Sequence, residues 1–305
     1  MELAKTFLVT GATQGLGLET ARALAADHSH DVVLAVRDVA RGEAAARAIG
    51  PNARVARIDC ASLADVRRFA DAWRGPIAGL VNNAGIQQTA GLQRSADGWE
   101  ETIAVNHLAA LELTIRLLPF LDGGRVLFIG SGTHNPDNRT ATRFGFRGAR
   151  FTSVAALARG DTDASSDRQS GMDRYATSKF LNTVTAIELA RRIPRERTVF
   201  FTLDPGLMAG TGLARSAPAI VRFAWAKLLP WVAPLMPDTS TTQRSGATAA
   251  WLMTDAGVVS KHGEVFSYDR KPSTRVWQRV RDPELARTAL DESLAFLGLP
   301  ADSAR

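Results

Sequence analysis

Tyr175-Ala176-Thr177-Ser178-Lys179 places a phenol and an ammonium four residues apart at the start of an apolar-periodic stretch. On a helix, residues at that spacing share a face, so both groups can point into one site. An ammonium beside a phenol favours the phenolate. The expectation is therefore a tyrosine whose pKa is lowered toward working pH and which serves as a general acid or base. Alone, the spacing says little, because most such pairs are ordinary surface neighbours.

A second feature able to do chemistry lies near the N-terminus. Thr10-Gly11-Ala12-Thr13-Gln14-Gly15-Leu16-Gly17 is a glycine-rich turn between an apolar run and a helical pattern. Glycines let the backbone approach a pyrophosphate, and the helix N-terminus offers unpaired N–H groups and the positive end of its dipole. The spacing is Gly-x-x-x-Gly-x-Gly, not the Gly-x-Gly-x-x-Gly of the common dinucleotide fold. Arg37 stands twenty residues beyond Gly17. At that distance a carboxylate holds the ribose 2′-hydroxyl of NAD, whereas an arginine answers the 2′-phosphate of NADP. Val36-Arg37 favours NADP, with Asp38 the competing acid.

The elements that must position these residues follow from the alternation of short β-branched runs with longer helical patterns. It predicts an α/β fold, a single Rossmann-type doubly wound parallel sheet flanked by helices. Strands are expected at 6–9, 32–36, 54–58, 77–81, 125–129, 198–203 and 265–268, about seven in all. Helices are expected at 15–26, 39–49, 63–73, 99–121, 173–193, 239–253 and 282–297. Residues 132–174 show little periodicity and read as a long surface excursion. No linker divides the chain, so one domain over 1–305 is expected.

Composition narrows the function classes. The net charge of +6 comes from arginines scattered among 31 acidic residues, with no dense basic run, which argues against nucleic acid. A lone cysteine, Cys60, fits a reducing cytoplasm and reads as a small packed residue. The N-terminal residues lead straight into a strand without a signal-peptide pattern. The most lipophilic window, 218–236, is interrupted by Arg222, Lys227, Pro230 and Pro234. It is expected not to span a bilayer, though it could lie on one or cover an apolar cavity.

With the glycine turn and the Tyr175/Lys179 pair in one α/β chain, the sequence resembles the short-chain dehydrogenase/reductase family. Further motifs match in order. Asp59, followed by Cys60, resembles the family's adenine-contacting aspartate, and Asn82-Asn83-Ala84-Gly85 resembles its Asn-Asn-Ala-Gly signature. Asn106 falls where the catalytic asparagine lies and Ser131 where the catalytic serine closes the fifth strand. Pro205-Gly206 with Thr211 resembles the segment that holds the nicotinamide carboxamide. Asn106-His107-Leu108 and Ser131-Gly132-Thr133-His134-Asn135-Pro136 resemble the retinol-dehydrogenase and protochlorophyllide-reductase branch.

The resemblance implies hydride transfer between NADP(H) and a carbonyl or alcohol. Tyr175 would exchange the proton, Ser131 would hydrogen-bond the same oxygen, and Thr133 could stand in for Ser131. Lys179 would lower the tyrosine's pKa and bind the nicotinamide ribose, and Asn106 would position a water linking Lys179 to solvent. Residues 207–236 fall where the family places its substrate lid. Their Leu, Trp, Phe, Ala and Pro content points to a lipophilic substrate, or to packing on a neighbouring subunit of a homo-oligomer. Two departures stand out. Light-dependent protochlorophyllide reductases carry a cysteine two residues after the motif lysine where this chain has Leu181, which favours dark carbonyl chemistry over reduction of a conjugated C=C bond. Ser131 and Tyr175 are also forty-four positions apart, against about a dozen in the simplest members. The arginines of that insert, Arg139, Arg143, Arg147 and Arg150, read as solubilising charges or as an anionic-substrate clamp. A nucleotide-sensing protein without turnover is the reading from another class.

Overall fold

The apolar runs form strands β1 (Lys5–Thr10), β2 (His30–Val36), β3 (Ala53–Arg57), β4 (Gly79–Asn82), β5 (Gly124–Ile129) and β6 (Thr198–Asp204). After a short parallel pair, β7 (Leu207–Met208) with β8 (Thr239–Ser240), comes β9 (Val265–Ser267). These belong to a computed structural model that describes residues 4–208 and 238–304. Thr211 and 209–236 of the expected lid lie outside the described residues.

Seven strands pair in parallel in the order β3-β2-β1-β4-β5-β6-β9. Both faces are covered, which explains why β6 is buried at every position. Side chains alternate between the faces. Leu8, Val33 and Val126 enter one core, and Phe7, Val32 and Leu127 enter the other. The chain winds outward from β1 to β3, then returns to β4 and winds the other way. The crevice at the C-terminal ends of β1 and β4 is thus the topological switch point where ligands of such sheets bind.

The helices are α1 (Gly15–Ala25), α2 (Val39–Ile49), α3 (Leu63–Ala72) and the long α4 (Glu101–Phe120). Then follow α5 (Arg139–Arg143), α6 (Val154–Arg159), α7 (Asp167–Arg192), α8 (Thr242–Thr254) and α9 (Pro283–Leu297). By length and composition α4 is apolar enough to cross a membrane, yet 83% of its apolar window is buried inside the protein. Within it Ala104–Leu108 form a π turn, a distortion that recurs at functional sites.

The insert differs from the expected surface excursion. It contains α5, α6 and the first turns of α7, which begins at Asp167 and not at 173, with Ser166 Oγ accepting from the Gln169 N–H. Val154 and Leu157 are buried in the core. Helices of five and six residues are too short to print a 3.6-residue period on the sequence. The insert is fastened to the catalytic helix, since Arg150 N donates to Thr177 Oγ1 at 2.8 Å.

Gly171 lets α7 lie directly on the backbone at Gln88, where an added Cβ would strike the Gln88 carbonyl. Helix propensity alone would make Gly171→Ala stabilising by about 1 kcal/mol. The contact reverses the sign. Gly171→Ala should destabilise the protein by roughly 1–3 kcal/mol in urea denaturation, and a stabilised variant would show that α7 does not rest on that backbone.

Candidate active site

The glycine turn is held by the end of β4. Asn83 Nδ2 donates to the Thr10 and Gly11 carbonyls at 2.7 and 3.3 Å, and Thr10 Oγ1 accepts from the N–H groups of Asn83 and Ala84 at 3.0 and 2.9 Å. Such an approach leaves no room for side chains. A Cβ on Gly11 would sit 3.0 Å from Ala84 Cα, and one on Gly17 would collide with the Asn83 amide. Gly15 has open space around it but a φ of 59°, so its requirement is conformational. A cavity of about 900 Å³ opens on this turn, lined by Gly11, Thr13, Gln14, Gly15 and Leu16.

Its far wall carries the charge. Arg37 lines the cavity and makes no hydrogen bond or ion pair with any described residue. Asp38, the competing acid, is spent on capping α2, its Oδ1 accepting from Arg41 N at 3.0 Å. Arg41, one turn on, also lines the cavity and donates to Gln14 Oε1 at 3.0 Å. Asp59 and Cys60 complete this end. Asp59 accepts from Ala61 N, while the cap of α3 is Ser62. Burial pushes the Cys60 thiol up to about 12, so it is a packed wall residue and not a nucleophile. A glycine cradle, a helix N-terminus and two guanidinium groups without an acidic partner among the described residues fit a phosphorylated dinucleotide.

Ser131, Tyr175 and Lys179 converge at the other end of the same cavity, with Pro205 and Gly206 beside them. Ser131 stands beside the Tyr175 phenol, near enough to oppose the rise in its pKa. Thr133 donates to Ser131 Oγ from both its N–H and its hydroxyl, at 3.3 and 3.1 Å. That leaves the Ser131 proton to point at the phenol, and makes Thr133 its orienting partner, not its substitute. Lys179 Nζ lies 5.7 Å from the Tyr175 ring centroid and donates to the Ile129 carbonyl at 3.0 Å.

The expected lowering of the tyrosine pKa is corrected here. Burial holds the Tyr175 phenol well above its ordinary value; the neighbouring Ser131 opposes this and the Asp204 charge adds to it. Burial also brings Lys179 down to about 8, which weakens the charge that was to act on the phenol. Desolvation outweighs the pair's attraction.

Asn106 is likewise committed. Its Oδ1 accepts from Ile86 N at 2.7 Å, and its Nδ2 donates to the Ile86 carbonyl and to Ser178 Oγ at 2.9 and 3.0 Å. The amide clamps Gly85-Ile86 to α7. Its Oδ1 and Lys179 Nζ both lie within 3.5 Å of where a Cβ on Gly85 would be.

A model of the short chain dehydrogenase family matches residues 5–142. Protochlorophyllide reductase A of Oryza sativa subsp. japonica is 31% identical over 316 residues, covering 96% of this chain and 80% of that protein. Protochlorophyllide reductase of Avena sativa is also 31% identical, covering 96% and 99%. The chain belongs to the short-chain dehydrogenase/reductase family. A solved protein from Mycobacterium paratuberculosis shares its fold at 27% identity, with a TM-score of 0.67 over 97% of this chain and 94% of that one. Family members are oxidoreductases that bind a nicotinamide cofactor, and this one lies near the protochlorophyllide-reductase branch.

Several residues of the site went unseen in the sequence, or, like His107, were seen only as part of a motif. Asn182, three residues after Lys179, donates to the same Ile129 carbonyl at 3.3 Å, and its Oδ1 lies 3.4 Å from His107 Nδ1. His107 Nε2 in turn contacts Ser293 Oγ of α9 at 2.9 Å, and burial lowers this imidazole to about 4, so it stays neutral. Arg275 spans the floor beyond Pro205, donating to Asp204 at 2.9 Å and to Asp238 at 2.7 Å. Asp238 also accepts from Thr140 of the insert at 3.1 Å. Only the Tyr-x-x-x-Lys-x-x-Asn spacing, which puts Asn182 on the lysine's face, could have flagged any of these.

The clamp reading of the insert arginines is corrected. Arg147 pairs with Asp173 and Asp163, and Arg150 with Asp163, so they tie the insert to α7. Arg139 and Arg143 are exposed and do not line the cavity.

Lys179 has a thermodynamic signature. Its value falls from 10.5 to about 8 on burial, so between those values the unfolded chain binds more protons and stability rises with pH. Below about 8 the full cost of the buried charge is present. Lys179→Met should therefore stabilise the cofactor-free protein at neutral pH by up to about 3 kcal/mol. Urea melts should show that gain disappearing as the pH passes the ordinary lysine value; a pH-independent difference would contradict the burial of a titrating ammonium.

Proposed function

We propose that the protein is an NADP(H)-dependent reductase of a carbonyl group on a lipophilic small molecule. The observation that carries this reading is Tyr175: a phenol kept protonated by burial, beside Ser131, and opening on the cavity next to Phe146 and Met172. A neutral phenol is equipped to give a proton to a developing alkoxide. Ser131, oriented by two donors from Thr133, supplies a second hydrogen bond to that oxygen and stabilises its growing charge. Lys179, anchored on Ile129, brings a positive charge beneath the phenol ring and can bind a ribose hydroxyl. Asn106 fixes Gly85-Ile86 as the wall against which the ring system lies.

When bound, the nicotinamide would supply the hydride. Gly11, Gly15, Leu16 and Gly17 with Thr13 and Gln14 would cradle its pyrophosphate, and Asp59 and Cys60 with Asn83-Ala84-Gly85 would flank the adenosine half. Arg37 and Arg41 would hold the 2′-phosphate, beside Asp38 with its Oδ1 on the cap of α2. Pro205 and Gly206 would face the carboxamide. Phe144, Phe146, Met172 and Met208 line the substrate end, which supports a lipophilic ligand.

Reduction of a conjugated C=C bond is the second reading, favoured by the identity to proteins named protochlorophyllide reductase. Leu181 bears less on this choice than its place in the motif implies, because it is fully buried in the core and does not line the cavity.

Tyr175→Phe should keep cofactor affinity and lose turnover by roughly 10²–10⁴-fold. Arg37→Ala should weaken NADPH binding by about ten- to a hundredfold with little effect on NADH. The measurement is NADPH oxidation across aldehydes, ketones, quinones and enones, in the dark and in light. Equal NADPH and NADH affinity in the unmodified protein would defeat the NADP reading; enone turnover without ketone or aldehyde turnover would replace the carbonyl reading with the second one.

A further inference from the structure

Helix α7 shows the cavity one stripe of side chains: Lys179, Tyr175, Met172 and Arg168. Counted from Arg168 they stand four, seven and eleven residues on, the spacing that a 3.6-residue turn stacks on one face. The first two do the chemistry proposed above. Met172 begins an apolar wall that Phe144 and Phe146 continue, the Phe146 ring centroid 6.1 Å from that of Tyr175. Arg168 closes the stripe, its Cα about 10 Å along the helix axis from that of Tyr175 at about 1.5 Å per residue.

Arg168 makes no hydrogen bond, ion pair or ring contact with any described residue. The other cavity-lining cations are either engaged or at the wrong end. Arg275 is neutralised by Asp204 and Asp238, Lys179 is anchored on Ile129, and Arg37 and Arg41 stand at the nucleotide wall. None of the nearby acids pairs with it: Glu101 accepts from Gln88 at 2.7 Å, Asp173 is held by Arg147, and Asp167, its chain neighbour, lies beside Gly91. A cation in the first turn of a helix also opposes the macrodipole. Among the described residues no hydrogen bond or ion pair offsets this.

We propose that Arg168 is the anion-recognising residue of the substrate cavity, selecting a carbonyl compound whose carboxylate lies at the far end of an apolar body. This rests on the carbonyl-reductase reading for which group meets Tyr175. The substrate class is then an oxo-acid with its carbonyl and carboxylate about 10 Å apart, matched to the Tyr175–Arg168 separation along the helix. The guanidinium can take both carboxylate oxygens in a fork.

The test uses para-formylphenylbutanoate, its methyl ester and the shorter para-formylbenzoate, with the full-length protein saturated with NADPH. Binding is followed by calorimetry on the Tyr175→Phe background, and turnover separately on the unmodified protein. The long acid should bind about tenfold tighter than its ester and than the short acid. In Arg168→Gln the ratio of acid to ester affinity should fall to about one, and Arg168→Lys should restore part of it. Equal binding of acid and ester, or an unchanged ratio in Arg168→Gln, would overturn the assignment. Arg168-dependent binding without any turnover would support the assignment while removing the carbonyl reading. Turnover of acid and ester at one rate with no Arg168 dependence would do the reverse.

Discussion

The carbonyl oxygen of Ile129 receives Lys179 Nζ at 3.0 Å and Asn182 Nδ2 at 3.3 Å, and the arrangement of the site follows from that point. Burying an ammonium is costly unless it is hydrogen-bonded. Here the acceptor is a backbone carbonyl at the end of β5. Asn182 keeps that carbonyl aimed at the helix, while His107 and Ser293 tie Asn182 to α9. The lysine's position is thus set by three elements far apart in sequence. Its depressed pKa and the raised pKa of Tyr175 share one cause, the exclusion of water where β5, α4 and α7 meet.

The insert between β5 and α7 takes part in that exclusion. Its arginines grip Asp163 and Asp173, its Thr140 reaches Asp238, and Phe144 and Phe146 roof the space above Tyr175. A segment rich in charge packs without a wide apolar face because its charges are paired within itself and with α7. The same residues that extend the Ser131–Tyr175 separation supply the far wall of the cavity, so lengthening the connection adds substrate surface without moving the reacting groups.

Much of this was legible in the sequence, for identifiable reasons. The strands are continuous apolar runs because the sheet is covered on both faces, and their order follows from the βαβ alternation. Gly11, Gly17 and Asn83-Ala84 could be read together because the close approach that they make excludes other residue types. Asp38 was ambiguous on paper, since nothing in Arg37-Asp38 says which side chain turns back to cap α2. The pKa of Tyr175 was misjudged because spacing reports a neighbour's charge and not the depth at which both groups sit. Asn182 and Arg275 escaped notice, and His107 was read only as part of a motif, because their partners, Ile129, Asp204 and Ser293, are distant in the chain. The insert's helices were hidden by their length, though Ser166-Asp167 was a readable start signal for α7.

The central claim is that burial, more than the lysine's charge, sets the protonation of Tyr175. The chain has two tyrosines, and the second, Tyr268, uses its ring to pack against Gly206 and between Arg244 and Arg275. Tyr268→Phe keeps that ring and leaves Tyr175 as the sole phenol. Near-ultraviolet absorbance of this variant without cofactor, followed as pH rises, reads the Tyr175 phenolate directly. The account predicts no phenolate at or below the ordinary phenol value of about 10, with ionisation appearing only above it. A phenolate forming near neutral pH would contradict it and restore the lysine as the controlling charge.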